Sequence, residues 1–97
     1  MRIDVIGKHM TVTDAIRQYA EQKLDKLPKY WDGVQQMTAV FEQDRHGQFK
    51  VEVRVDVVKH QDFIAHSDGE DLYACIDLAV DKALRQLKDF KEKLRVH

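Results

Sequence analysis

Cysteine is almost absent from this chain. The single thiol, Cys75, excludes a disulfide framework and fits a reducing cytoplasm. Long apolar runs are missing too: no stretch approaches the roughly 18 residues of a membrane span. The N-terminal MRIDVIGKH lacks an apolar core followed by a small-residue cleavage site, so no secretory leader is expected. One proline and four glycines leave little material for linkers, and no repeat or low-complexity segment is present. Charge of one sign is also lacking. A net charge of −1 excludes a uniformly basic nucleic-acid binder. At 97 residues the chain is expected to form one domain, residues 1–97, with a modest core.

What is present is patterned. The charge is distributed unevenly: residues 62–81 hold Asp62, Asp68, Glu70, Asp71, Asp77 and Asp81 with no base. Residues 82–97 reverse the balance, with Lys82, Arg85, Lys88, Lys91, Lys93 and Arg95 against Asp89 and Glu92. A local positive pole steers a polyanion even when the whole molecule is nearly neutral.

Apolar periodicity supplies the elements. RIDVIG alternates as a short strand ended by Gly7. Thr13 is a good N-cap before Ile16, Ala20, Leu24 and Leu27, which fall at helical spacing until Pro28 stops the run. The segment KYWDG then reads as a linker with a turn signal. Met37, Ala39 and Phe41 share one face of a second strand, and Asp44-Arg45-His46-Gly47 forms a hairpin turn. Phe49, Val51, Val53, Val55 and Val57 alternate with Lys50, Glu52, Arg54 and Asp56, a strand with one buried and one wet face. FIAHS is a short fourth strand. A long helix from about residue 70 to 94 carries Leu72, Ile76, Ala79, Val80, Ala83, Leu87, Phe90 and Leu94 in one stripe, with Leu78 facing outward. Asp81–Arg85, Arg85–Asp89 and Asp89–Lys93 are opposite charges four apart. The expected fold is α+β: a two-layer β-α-β-β-β-α sandwich, a four-stranded mixed sheet with two helices packed on one face.

Catalytic groups do not converge. His9, His46, His60, His66 and His97 are scattered, and none stands at metal-ligand spacing from Cys75, so no metal or cofactor is expected. Cys75 reads as a buried thiol, not a nucleophile. Asp68, Glu70 and Asp71 serve a helix N-terminus better than a cation, because their spacing lacks the alternating ligands of a calcium loop. The cations are more informative. Tyr19, Lys23 and Lys26 share one flank of the first helix, and Asp14, Glu21 and Asp25 the opposite flank. The bases of the last helix fill the arc outside its apolar stripe, so two helices in one layer could merge these flanks into a phosphate-binding surface. An ordinary solvated helix face has the same pattern.

Residues 65–94, AHSDGEDLYACIDLAVDKALRQLKDFKEKL, resemble the ribosome hibernation-promoting factors and ribosome-associated translation inhibitors. The resemblance rests on a strand leading into Asp71, Tyr73, Ile76 and Asp77, then Lys82, Arg85-Gln86, Lys88 and Lys91. Gly7, Thr13, Lys23-Leu24, Leu27 and Tyr30 extend it over the whole chain. It implies a non-enzymatic cytoplasmic factor that binds ribosomal RNA in the decoding channel of the small ribosomal subunit. There it would silence translation in stationary phase or stress by excluding messenger and transfer RNA. Lys23, Lys26, Lys29, Lys82, Arg85, Gln86, Lys88 and Lys91 are the implied RNA contacts, with Tyr73 and Asp77 positioning the helix. Two positions depart from the family pattern: Asp89 where a base is frequent, and Phe90 where tyrosine is common. The length resembles the short members, with no C-terminal dimerisation domain, and implies a separate small ribosome modulation factor as a partner in some bacteria. No membrane or small-molecule substrate is implied. The alternative is a protein-protein module that pairs through its sheet face or edge and keeps the helix charges for solubility.

Overall fold

The computed structural model describes residues 2–95, apart from the side chain of Arg95; Met1, Val96 and His97 lie outside the described residues. The element order is β1 (Arg2–Lys8), α1 (Asp14–Leu24), α2 (Lys26–Tyr30), β2 (Val34–Gln43), β3 (Phe49–Val57), β4 (Phe63–Gly69) and α3 (Leu72–Arg95). The four strands form one sheet in the order β1-β2-β3-β4. β1 and β2 are parallel, and β2, β3 and β4 are an antiparallel meander. The expected α+β sandwich is the observed one.

Register explains the core. Val5, Ala39, Val53 and Ala65 stand opposite one another across all four strands, and all four are buried. The flanking rows are Ile3-Met37-Val55-Phe63 and Gly7-Phe41-Val51-Ser67. One residue along each strand the pleat turns over, and the outer face carries rows such as Lys8-Glu42-Lys50-Asp68. The helices close the inner face with Ala20, Leu24, Leu27, Leu72, Ile76, Ala79, Val80, Ala83 and Leu87. Ser67, the one buried polar residue among those described, donates from its hydroxyl to the Cys75 carbonyl at 2.5 Å and so ties β4 to α3.

Local chemistry sets the ends. Thr13 Oγ1 accepts from the Ile16 N–H at 3.2 Å, the expected N-cap. Asp71 caps α3, its Oδ1 accepting from the Tyr73 N–H at 3.0 Å. In the β2–β3 turn Asp44 Oδ1 accepts from the N–H groups of His46 and Gln48, which hold its carboxyl below the usual range, and Gly47 takes φ +81°.

Five expectations need correction. Pro28 does not stop the first helix. The ladder breaks at Asp25, and Pro28 sits in the first turn of α2, where a missing N–H has no intrahelical acceptor to lose. Lys29 and Tyr30, read as linker, are therefore helical. Gly7 does not end β1, which runs to Lys8. It marks a close approach instead, since a Cβ there would lie 2.5 Å from the Met10 carbonyl oxygen. Leu94 is 51% exposed, not core. The 24 residues of α3 span about 36 Å. The nine of β3 span about 30 Å, so the last turn overhangs the sheet. Finally, none of the Asp81–Arg85, Arg85–Asp89 and Asp89–Lys93 pairs closes to 4 Å.

Candidate nucleic-acid interface

The seven cations among the eight candidate residues fall into three groups. The first is the outer arc of α3. Lys82, Arg85 and Lys88 are exposed and follow one another along the helix at three-residue steps, so they form a row across its solvent side. Arg85 makes no hydrogen bond or ion pair among the described residues. Its guanidinium is a fork of donors facing solvent, suited to phosphate oxygens. Asp81, Asp89 and Glu92 are exposed on the same side of the helix and interrupt the row.

The second group occupies the seam between the helices. Tyr19 Oη donates to Asp77 Oδ1 at 2.7 Å, and Lys23 Nζ lies 3.5 Å from the same oxygen. Tyr73 meets the Tyr19 ring edge-on at 4.8 Å, and the Lys23 ammonium stands 5.4 Å from that ring's centre. The hydrogen bond to Asp77, together with burial and the charges of Asp77 and Asp71, pushes the Tyr19 phenol up to about 12. About four turns further along α3, Lys91 Nζ donates to the Tyr30 carbonyl at 3.4 Å and lies 4.6 Å above the Tyr30 ring, with the Lys88 ammonium 5.7 Å from the same centre. These cation–π contacts hold two long, flexible side chains over one aromatic plate. Tyr73 and Asp77 thus position α3 against α1.

The third group lies apart. Lys29 pairs with Asp25 at 2.8 Å, which raises the affinity of its amine for a proton. Asp25 lines a hollow with Ile3, Gln18, Glu21 and Gln22, so this pair belongs to the β1 side of α1, away from α3. Lys26 is exposed and makes no ion pair among the described residues.

Lys82 and Gln86 have a task at the sheet edge that local pattern does not reveal. Lys82 Nζ donates to the His66 carbonyl at 2.8 Å, and Gln86 Nε2 donates to the Ile64 carbonyl at 3.2 Å. β4 is an edge strand. Its outward carbonyls repeat every two residues, about 6.6 Å, and side chains four apart on a helix repeat every 6 Å or so. The two periods match, and the pair covers an edge that would otherwise expose free acceptors. Gln86 Oε1 is buried with no partner among the described residues. Cys75 is buried, and that burial, with Asp68 and Asp71 nearby, pushes its thiol up and away from a reactive thiolate. Among the described residues no group of three His, Cys, Asp or Glu could hold a metal ion, and no helix is long and apolar enough to cross a membrane.

Known proteins resemble this chain over nearly its whole length. A ribosome hibernation promoting factor of Azotobacter vinelandii is 34% identical over 93 residues, 96% of this chain and 85% of that protein. The one of Escherichia coli K12 is 32% identical over 100 residues and covers both chains fully. Among solved structures, the N-terminal domain of Thermus thermophilus Protein Y superposes with a TM-score of 0.84 at 36% identity, over 93% of this chain and 99% of that one. A ribosomal subunit interface protein of Coxiella burnetii shares the fold with a TM-score of 0.86 at 23% identity, over 95% and 99% of the two chains. The model of the Sigma 54 modulation protein / S30EA ribosomal protein family matches residues 3–95, and with that coverage the chain belongs to this family.

Proposed function

We propose that this protein is a ribosome hibernation factor that docks on the small ribosomal subunit and silences translation by occupancy, without catalysis. The observation that carries the reading is the row Lys82, Arg85 and Lys88 along the outer side of α3, in a chain whose relatives are named for ribosome hibernation. Lys23, Lys26 and Lys91 widen that row across the helix layer toward ribosomal RNA, and Gln86 borders it on the β4 side. Lys29 joins through its exposed ammonium when the contact reaches the far flank of α1. Such a surface grips phosphates and RNA shape without reading sequence. A rigid two-layer domain seated in the decoding channel excludes messenger and transfer RNA sterically.

The test is co-sedimentation with purified small subunits. If six or more phosphates are engaged, affinity falls about a thousandfold between 50 and 200 mM salt. Lys82→Glu with Arg85→Glu abolishes pelleting and leaves the melting temperature within a few degrees, because both side chains are exposed and only the Lys82 contact to a strand carbonyl is lost. Toeprinting with pre-bound messenger and initiator transfer RNA then reads the channel. Affinity that is flat with salt, or simultaneous occupancy by all three, refutes the proposal.

A further inference from the structure

Beyond the cationic row, the β4 flank of α3 ends in a cavity of about 470 Å³, within the size range of small-ligand sites. Its walls are aromatic. The rings of His60 and Phe63 are stacked at 4.8 Å and 23°, and Phe90 packs against both, at 4.4 and 5.3 Å between ring centres. His60 Nδ1 lies 2.6 Å from the Gln61 carbonyl, a contact that fixes the plane of an otherwise exposed ring. Asp89 and Lys93, both exposed, stand at the rim, and Gln86 borders the cavity.

We infer that this cavity takes one unstacked nucleobase, with its ring against the His60–Phe63 stack, an exocyclic amine on the Asp89 carboxylate and its phosphate on Lys93. This deepens the ribosomal reading and rests on it for the source of the RNA. Splayed-out bases in single-stranded segments are recognised by stacking on aromatic side chains and by hydrogen bonds to their edges. A carboxylate accepts from the cytosine 4-amine and repels the carbonyl that uracil carries there. A cation four residues on from Asp89 offsets the cost of bringing phosphate near that carboxylate. The cavity lies on the helix flank that also holds Lys82, so a strand on the cationic row reaches it without crossing the sheet.

The experiment is a titration of the whole chain, followed by the aromatic NMR signals of His60, Phe63 and Phe90, with single-stranded hexacytidylate and hexauridylate. Saturable shifts of all three rings with hexacytidylate, roughly tenfold tighter than with hexauridylate, are expected. Asp89→Ala brings the two affinities together. His60→Ala, a change at an exposed ring that leaves the amide spectrum folded, removes the Phe63 and Phe90 shifts while the protein still sediments with small subunits. Rings that do not move, equal affinity for the two oligomers in the unaltered chain, or unchanged Phe63 and Phe90 shifts in His60→Ala overturn the inference and leave the ribosomal reading intact. Loss of sedimentation by the unaltered chain overturns the ribosomal reading, and the titration still decides the cavity.

Discussion

Tyr19→Phe isolates the contact that sets the helix layer. The substitution keeps the ring and its edge-on meeting with Tyr73 and removes only the hydroxyl that donates to Asp77 at 2.7 Å. The phenol titrates near 12 instead of 10.0. Two units correspond to about 2.7 kcal/mol of preference for the protonated form. The Asp77 carboxylate is 44% exposed and keeps Lys23 as a neighbour, so solvent screening reduces the loss to about 1–2 kcal/mol. For a domain of this size that lowers the melting temperature by about 5–10 °C. The sign of the pH dependence is set by a folded pKa above the unfolded one. The contribution is fully present below pH 10 and is lost as pH rises toward 12. Urea unfolding of both proteins at pH 7.5, 10 and 11 therefore gives a constant gap up to about pH 10 that narrows at 11. Absorbance at 295 nm shows one late-titrating phenol fewer in Tyr19→Phe than in the unaltered protein. Equal urea midpoints at pH 7.5, or a gap that does not close with rising pH, refute the role given to this hydrogen bond.

Two further substitutions test the fold that carries the interface. Gly7→Ala places a Cβ 2.5 Å from the Met10 carbonyl oxygen and 2.9 Å from Val12 Cγ2, where a rigid backbone must yield, and lowers the unfolding free energy by about 1–3 kcal/mol, read as a lower urea midpoint with an unchanged m-value. Val53→Asp puts an unpaired charge at the centre of the row Val5-Ala39-Val53-Ala65, beneath the helices, and abolishes the cooperative transition in calorimetry. The charge reversal at Lys82 and Arg85 contrasts with both, since it removes binding and spares folding.

What was legible in the sequence is what neighbours along the chain determine. β3 covers Phe49–Val57, the stretch whose alternation predicts it, because a strand with one buried face writes its period into side-chain polarity. The stripe on α3 is equally local, and it identifies the outer arc on which Lys82, Arg85 and Lys88 stand. The failures have the opposite character. Tyr19 and Asp77 are 58 residues apart, and nothing in either helix alone says that they touch. Lys82 and Gln86 read as surface residues until β4 is known to be an edge strand with carbonyls at a matching repeat. Leu94 obeys the helical period but lies beyond the end of the sheet, and periodicity carries no information about where a partner layer stops. His60, Phe63 and Phe90 come from a loop, a strand and a helix, so their cluster exists only once the chain has folded.

The two faces of the sandwich treat charge differently, which separates the ribosomal reading from one that uses the sheet. On the outer face of the sheet the row Lys8-Glu42-Lys50-Asp68 alternates in sign from strand to strand, and Glu52 stands between Val40 and His66 with His66 Nε2 3.1 Å from its carboxylate. Strands lie about 4.8 Å apart, so opposite charges at that spacing cancel within a Debye length of about 8 Å. A polyanion approaching the sheet meets little net field. On α3 the exposed acids Asp81, Asp89 and Glu92 lie among the cations, and the two aspartates keep their charge close to the helix surface. Lysine and arginine stems carry theirs further out. Arg85, which has no partner among the described residues, therefore presents its cation beyond those aspartates, with Lys88 exposed beside it, while Lys82 Nζ is held at the His66 carbonyl. The ribosomal reading therefore expects an extended anion on the helix layer, and the protein-protein reading expects its partner on the sheet.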